Sequence, residues 1–105
     1  MDPASENTMP DHLRLDKWLW HARFHKTRAL AQAACTSGLI RLNGRRVEKP
    51  SVEVRPGDVL TLPRGREVVV VRVVACGIRR GPARDAALLY EVLKDSALDP
   101  GGTGP

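Results

Sequence analysis

Apolar residues follow a helical period early in this chain and a shorter one later. Leu15, Trp18, Leu19 and Ala22 recur at i, i+3, i+4 and i+7, the spacing that lines one face of a helix. Arg14, Lys17, His21 and His25 fall on the stripe beside it. A break over Phe24 to Lys26 precedes Thr27, a residue suited to capping a helix, and RALAQAAC continues with good helix formers. Leu30, Ala33 and Ala34 are expected to form the core side of this second helix. Ser37-Gly38 should end it, with Gly38 free to adopt the left-handed cap conformation.

After Gly38 the period drops to two. Ile40 and Leu42 alternate with Arg41 and Asn43. Asn43-Gly44 then predicts a tight hairpin, because both residues tolerate positive φ. Arg55-Pro56-Gly57-Asp58 marks a second turn, separating Val52–Val54 from Val59–Leu62. Arg64-Gly65 marks a third and leads into EVVVVRVVA, which looks like the most buried strand. Ala83 to Leu93 fits either a weak helix or a mixture of strand and helix, and the pattern leaves both open. The expected fold class is α+β, with two short N-terminal helices packed on a small antiparallel β-sheet and a C-terminal helical or extended segment. Residues 13–62 form its core and 63–94 complete the same domain. Residues 1–12, polar and broken by Pro3 and Pro10, and the Gly/Pro-rich 95–105 are expected to be disordered tails.

Charge changes this picture more than composition does. Between Leu13 and Lys49 stand nine bases: Arg14, Lys17, Arg23, Lys26, Arg28, Arg41, Arg45, Arg46 and Lys49. Only Asp16 and Glu48 oppose them, a net +7 in a chain whose total is +5. A segregated basic block of this density is the footprint of a face that meets a polyanion. No stretch approaches membrane-spanning length and no signal segment opens the chain, so a cytoplasmic protein without membrane contact is expected.

Catalytic and metal chemistry find little support. His21 and His25 have zinc-ligand spacing, but no acid or paired cysteine accompanies them, so no metal and no cofactor are expected. The two histidines fit better as titrating neighbours of phosphate. Cys35 and Cys76 stand isolated and are expected to be reduced, small hydrophobes. Trp18 belongs to the core stripe. Trp20 projects off it, toward a contact under the C-terminal segment or toward a stacked base. Asp16, inside the basic block, suits a salt bridge that orients an arginine better than a catalytic role. No catalytic residue is assigned and no enzyme is expected.

The ordered stretches RLDKWL, KTRALAQ and SGLIRLNGRRVEKPSVEVRPGDVLTL together resemble the S4 RNA-binding domain, from Leu13 to Leu62. More narrowly, RLDKWLWHARFHKTRALA with RRGPARDAALLYE is similar to the heat-shock protein 15 family, and this likeness extends from Arg14 to Leu93. The resemblance implies that the helix pair and the hairpin share one RNA-facing surface. It also implies rRNA and the large ribosomal subunit as partners, particularly a subunit stalled with a nascent chain still on its tRNA, which brings in peptidyl-tRNA as a further contact. The RNA-binding set is then Arg14, Asp16, Lys17, Arg23, Lys26, Thr27, Arg28, Gln32, Arg41, Asn43, Gly44, Arg45, Arg46 and Lys49. That family usually carries a long basic C-terminal extension. Here a Gly/Pro tail stands in its place, and weaker binding by a monomer is expected.

The physical reading of the residues agrees with this assignment. The amides that open a helix at Thr27, together with Lys26 and Arg28, make a phosphate site in which hydrogen bonds and charge act together. A-form RNA offers phosphates and 2′-hydroxyls more readily than base edges, so shape should matter more than sequence. Two other classes fit the chain less well: a helix-turn-helix-like DNA-binding protein, and a protein-interaction module that docks through the VVVVRVV strand as a sheet edge.

Overall fold

The structure is a computed structural model and describes residues 11–95. Apart from Asp11, His12 and Asp95, the expected tails lie outside the described residues. A short strand β1 (Leu13–Arg14) leads directly into helix α1 (Leu15–His21), and α2 (Arg28–Thr36) follows. Four strands come next, β2 (Arg41–Leu42), β3 (Arg45–Arg46), β4 (Glu53–Val54) and β5 (Val59–Arg64). Strand β6 (Glu67–Val73), a one-turn helix α3 (Ala83–Ala86), a 3₁₀ turn (Ala87–Leu89) and β7 (Tyr90–Asp95) complete the chain. The C-terminal segment therefore combines helix and strand.

The strands form two antiparallel sheets, β1 with β4 and a five-stranded sheet in the order β3-β2-β5-β6-β7. Leu13 sits opposite Val54, and Leu60 opposite Val71. Strand β6 lies between β5 and β7. It is therefore not the free sheet edge that docking through VVVVRVV would need, because the chain returns to cover it. Its burial also alternates. Val69, Val71 and Val73 point inward, whereas Val68 is 43% exposed and Arg72 is exposed. In β7 the register shifts between the partners of Val70 and Val71, so Leu93 faces no partner across the pair. This is a β-bulge in an outer strand.

One core joins the helices to the sheet. Leu15, Trp18, Leu19, Ile40, Leu60 and Val71 are fully buried within it. Trp18 is its largest member, and its indole N–H donates to the Ala75 carbonyl at 2.9 Å. That bond satisfies the only polar atom of the side chain, which makes complete burial affordable. Phe24 and Tyr90 pack against the same indole at 5.9 and 6.4 Å between ring centroids.

Helix α2 buries a different face from the one expected. Ala31 and Cys35 are buried, while Leu30 is 51% exposed. The cause is polar: Arg28 and Gln32, on the same stripe as Ala31 and Cys35, turn toward Asp16 of α1. Small side chains at the buried positions allow the two helices to approach. Among the described residues, no helix is long and apolar enough to cross a membrane.

Candidate nucleic-acid interface

Helix α1 carries a fully buried carboxylate, Asp16, in its first turn. Arg14, at the N-cap position, donates through Nε and Nη2 to its two oxygens, each at 3.1 Å. Gln32 Nε2 adds a bond at 3.1 Å, the Lys17 amide one at 2.8 Å, and Arg28 Nε a longer one at 3.4 Å. Burial on its own would raise the Asp16 pKa. The bonds from Arg14 and Gln32, the charge of Arg28 and the Lys17 amide outweigh it and hold the carboxyl below its ordinary 3.8. A buried charge persists only when paired and hydrogen-bonded, and Asp16 is both.

The arginines themselves remain half-exposed, 44% for Arg14 and 42% for Arg28. Each keeps guanidinium N–H groups beyond those given to Asp16, held in a fixed direction by it. Beside them, Thr27 caps α2. Its hydroxyl oxygen accepts from the Leu30 amide at 3.1 Å, and its carbonyl accepts from the Ala31 amide at 3.1 Å. The first-turn amides of Arg28 and Ala29 precede any intrahelical acceptor, so the helix mouth offers donors and a positive dipole. Lys26 is exposed next to the cap. The result is a cluster of cations and N–H donors suited to an anion.

The hairpin presents a second cluster. Asn43 and Gly44 have φ of 51° and 86°, so both turn residues occupy the left-handed region as expected. A Cβ on Gly44 would meet nothing within 4 Å; its requirement is conformational, not steric. Arg41 stands opposite Arg46 across the pair, and Arg41, Arg45 and Arg46 are all exposed.

Asn43 does not join them as a free contact. Its side chain donates to Asp58 at 3.1 Å and accepts from the Val59 amide at 2.9 Å. Both ends of the amide are thus committed to pinning the hairpin onto the next turn. Asp58 also accepts from the Arg55 amide at 2.9 Å and so ties the two turns together.

Between hairpin and β4 lies an open groove of about 410 Å³, lined by Leu42, Arg45, Arg46, Val47, Glu48, Lys49, Ser51 and Val52. Backbone bonds join its wall to the Asp16 cluster. The Leu15 amide donates to the Val52 carbonyl at 2.7 Å, and the Asp16 amide to that of Pro50 at 3.3 Å. Sequence reasoning weighed Glu48 only as an opposing charge and passed over Ser51 and the apolar floor. Their one signal was the recurrence of Leu42, Val47 and Val52 at five-residue intervals through a basic stretch.

Two expectations about the histidines need correction, and two side chains, Arg23 and Trp20, reach toward the C-terminal segment. Arg23 adopts φ of 63° and donates through Nε to the Gly81 carbonyl at 2.7 Å, which draws it toward the C-terminal segment. His21 is buried, with Nδ1 3.3 Å from the Cys76 carbonyl, so it is core and not a neighbour of phosphate. Desolvation pushes its pKa down, with Lys17 and Arg28 acting in the same direction against the Cys76 contact. Helix α1 ends at His21, so His25 lies beyond it and shares no helical face with it. Trp20 is partly buried and carries the Arg80 guanidinium 5.8 Å from its ring centre, a contact with the C-terminal segment. Cys35 and Cys76 are buried free thiols, and burial, aided by Asp16, pushes the Cys35 thiol up to about 11.

Comparison with known proteins identifies the domain. The S4 domain model matches residues 13–60. Heat shock protein 15 of Escherichia coli K12 is 49% identical over 84 residues, covering 80% of this chain and 62% of that protein. The chain thus spans less than two thirds of the length of that curated relative. The RQC P-site tRNA stabilizing factor of Bacillus subtilis is 37% identical over 86 residues, 82% of this chain and 98% of that protein. A solved trimeric heat shock protein 15 from Vibrio cholerae superposes with a TM-score of 0.73 at 40% identity, covering 77% of this chain and 81% of that one.

Proposed function

The chain belongs to the S4-domain family of heat shock protein 15, and from that premise we propose that it is a non-enzymatic, cytoplasmic RNA-binding protein of the large ribosomal subunit. Its partner is structured rRNA, with peptidyl-tRNA as a further contact, and its role is the stress-linked rescue or recycling of stalled subunits that carry a nascent chain. One observation carries this reading: a buried Asp16 fixes two half-exposed arginines at the open mouth of α2. Such a carboxylate leaves the cations' remaining donors facing outward, in a geometry set before any RNA arrives. The hairpin arginines extend the same charge along the surface. A relative named for stabilising P-site tRNA supports placing the RNA close to tRNA.

A salt titration tests the proposal. Large subunits, structured rRNA and duplex DNA are each titrated with the protein at matched ionic strength, and log affinity is plotted against log salt. The subunit and rRNA are expected to bind more tightly than DNA, with a negative slope for each. Equal or tighter binding to DNA would overturn the assignment.

A further inference from the structure

The groove beside the hairpin has a composition that phosphate binding alone does not require. Leu42, Val47 and Val52 supply an apolar floor, while Arg45, Arg46 and Lys49 supply three cations around it. Glu48 and Ser51 add one acceptor and one hydroxyl to the rim. Phosphate needs donors and charge; an apolar recess nearby adds nothing to it. A ligand that uses the whole groove has an anionic part and a flat apolar part.

On the basis of the RNA-binding reading above, we propose that this groove receives one unpaired nucleotide of the bound RNA. Its base lies on the floor, its phosphate faces the three cations, and Glu48 accepts from an exocyclic amino group. Paired bases in A-form RNA are not accessible to side chains in this way, whereas an extruded base exposes both its face and its edge. Continuity with the Asp16 cluster favours this occupant, since the Leu15 amide bonds to Val52 in the groove wall and the Asp16 amide to Pro50, between the lining residues Lys49 and Ser51. An RNA strand that contacts Arg14, next to Leu15 at the start of α1, therefore has its neighbouring nucleotides beside the groove. Glu48 also argues against an acidic peptide, whose carboxylates it would repel, yet it suits the amino group of cytosine.

Three RNA stem-loops distinguish the possibilities by fluorescence anisotropy: one fully paired, one with a single bulged cytidine, one with a single bulged uridine. The bulged cytidine is expected to bind about tenfold more tightly than the paired stem, the gain from burying one base face. Ser51→Trp fills the groove without removing charge. It should abolish that gain while leaving the paired stem's affinity and salt slope unchanged. Ser51 and Glu48 are exposed, so both variants should melt like the native protein. Glu48→Ala should bring cytidine and uridine to equal affinity, since uridine's carbonyl opposes a carboxylate. Equal binding of paired and bulged stems, or a bulge preference that survives Ser51→Trp, overturns the groove proposal while the RNA-binding reading stands. Failure of all three stems to bind at low salt removes that reading itself. A polyglutamate peptide that displaces the bulged RNA and leaves the paired stem bound assigns the groove to a protein partner instead.

Discussion

Helix α1 buries Leu15, Asp16, Trp18, Leu19 and His21 among its seven residues, whereas α2, with nine, buries only Ala31 and Cys35. The two helices pack together, yet the first is almost wholly interior and the second almost wholly displayed. The difference shows how a small domain with one thin core divides labour. Helix α1 supplies the anchor and a single interior charge. Helix α2 is held by two small buried residues, the partly buried Ala34 and the bonds of Arg28 and Gln32 to Asp16, which leaves Thr27, the outer part of Arg28 and the helix mouth available to a ligand. Asp16 connects the two tasks, because a residue of the buried helix orients a residue of the displayed one.

The largest expected effect tests the anchor. Trp18→Ala should cost about 3–5 kcal/mol of unfolding free energy, through the cavity it leaves and the abandoned Ala75 carbonyl. A shift in urea midpoint small enough to match a surface substitution would show that α1 is not the anchor.

Next comes the link between the helices. Asp16→Asn keeps the shape but removes the charge and turns an amide donor toward Arg28 or Gln32, a loss of about 1–3 kcal/mol at neutral pH. The Asp16 pKa is lowered in the folded protein, so its contribution is complete above the ordinary 3.8 and is lost as pH falls through the lower folded value. Native and variant stability curves should therefore converge in acid, and curves that stay parallel would contradict the ion-pair account.

On the displayed helix, Arg28→Ala should weaken RNA binding by about 1–3 kcal/mol and flatten the log–log salt slope by about 0.7–0.9. Folding should change little, because the arginine is half-exposed and its bond to Asp16 is long. Weaker binding with an unchanged slope would mean that it acts through structure. The smallest effect belongs to Leu30→Ala, within about 0.5 kcal/mol on stability. A loss typical of a core leucine would reverse the assignment of faces on α2.

Local features were the legible ones. The α1 stripe, the Thr27 cap and the Asn43-Gly44 turn each depend on residues whose successive members stand no more than four positions apart, and periodicity and turn chemistry describe that range. The face of α2 was missed because hydrophobicity ranks Leu30 above Ala31, while Asp16, twelve residues before Arg28, decided which side turned inward. The pinning role of Asn43 was not foreseen because nothing in its neighbourhood announces Asp58, fifteen residues away. The covering of β6 by β7 was not foreseen because the C-terminal segment was left open between helix and strand. In each case the deciding contact lay beyond the range of local pattern.

The bulge at Leu93 bears on how this protein survives in a crowded solution. Strand β7 is the last in its sheet, with Val92 49% and Leu93 42% exposed, and a regular apolar edge of that kind is a template for adding foreign strands into aggregates. The unpaired residue interrupts the even spacing of free N–H and C=O groups that such templating needs, and the charged Lys94 follows it immediately. Deleting Leu93 should straighten the strand and speed thioflavin-positive aggregation on mild heating. On this account one extra residue in the outer strand guards the sheet against self-templating, and equal aggregation of the native and deleted chains would overturn it.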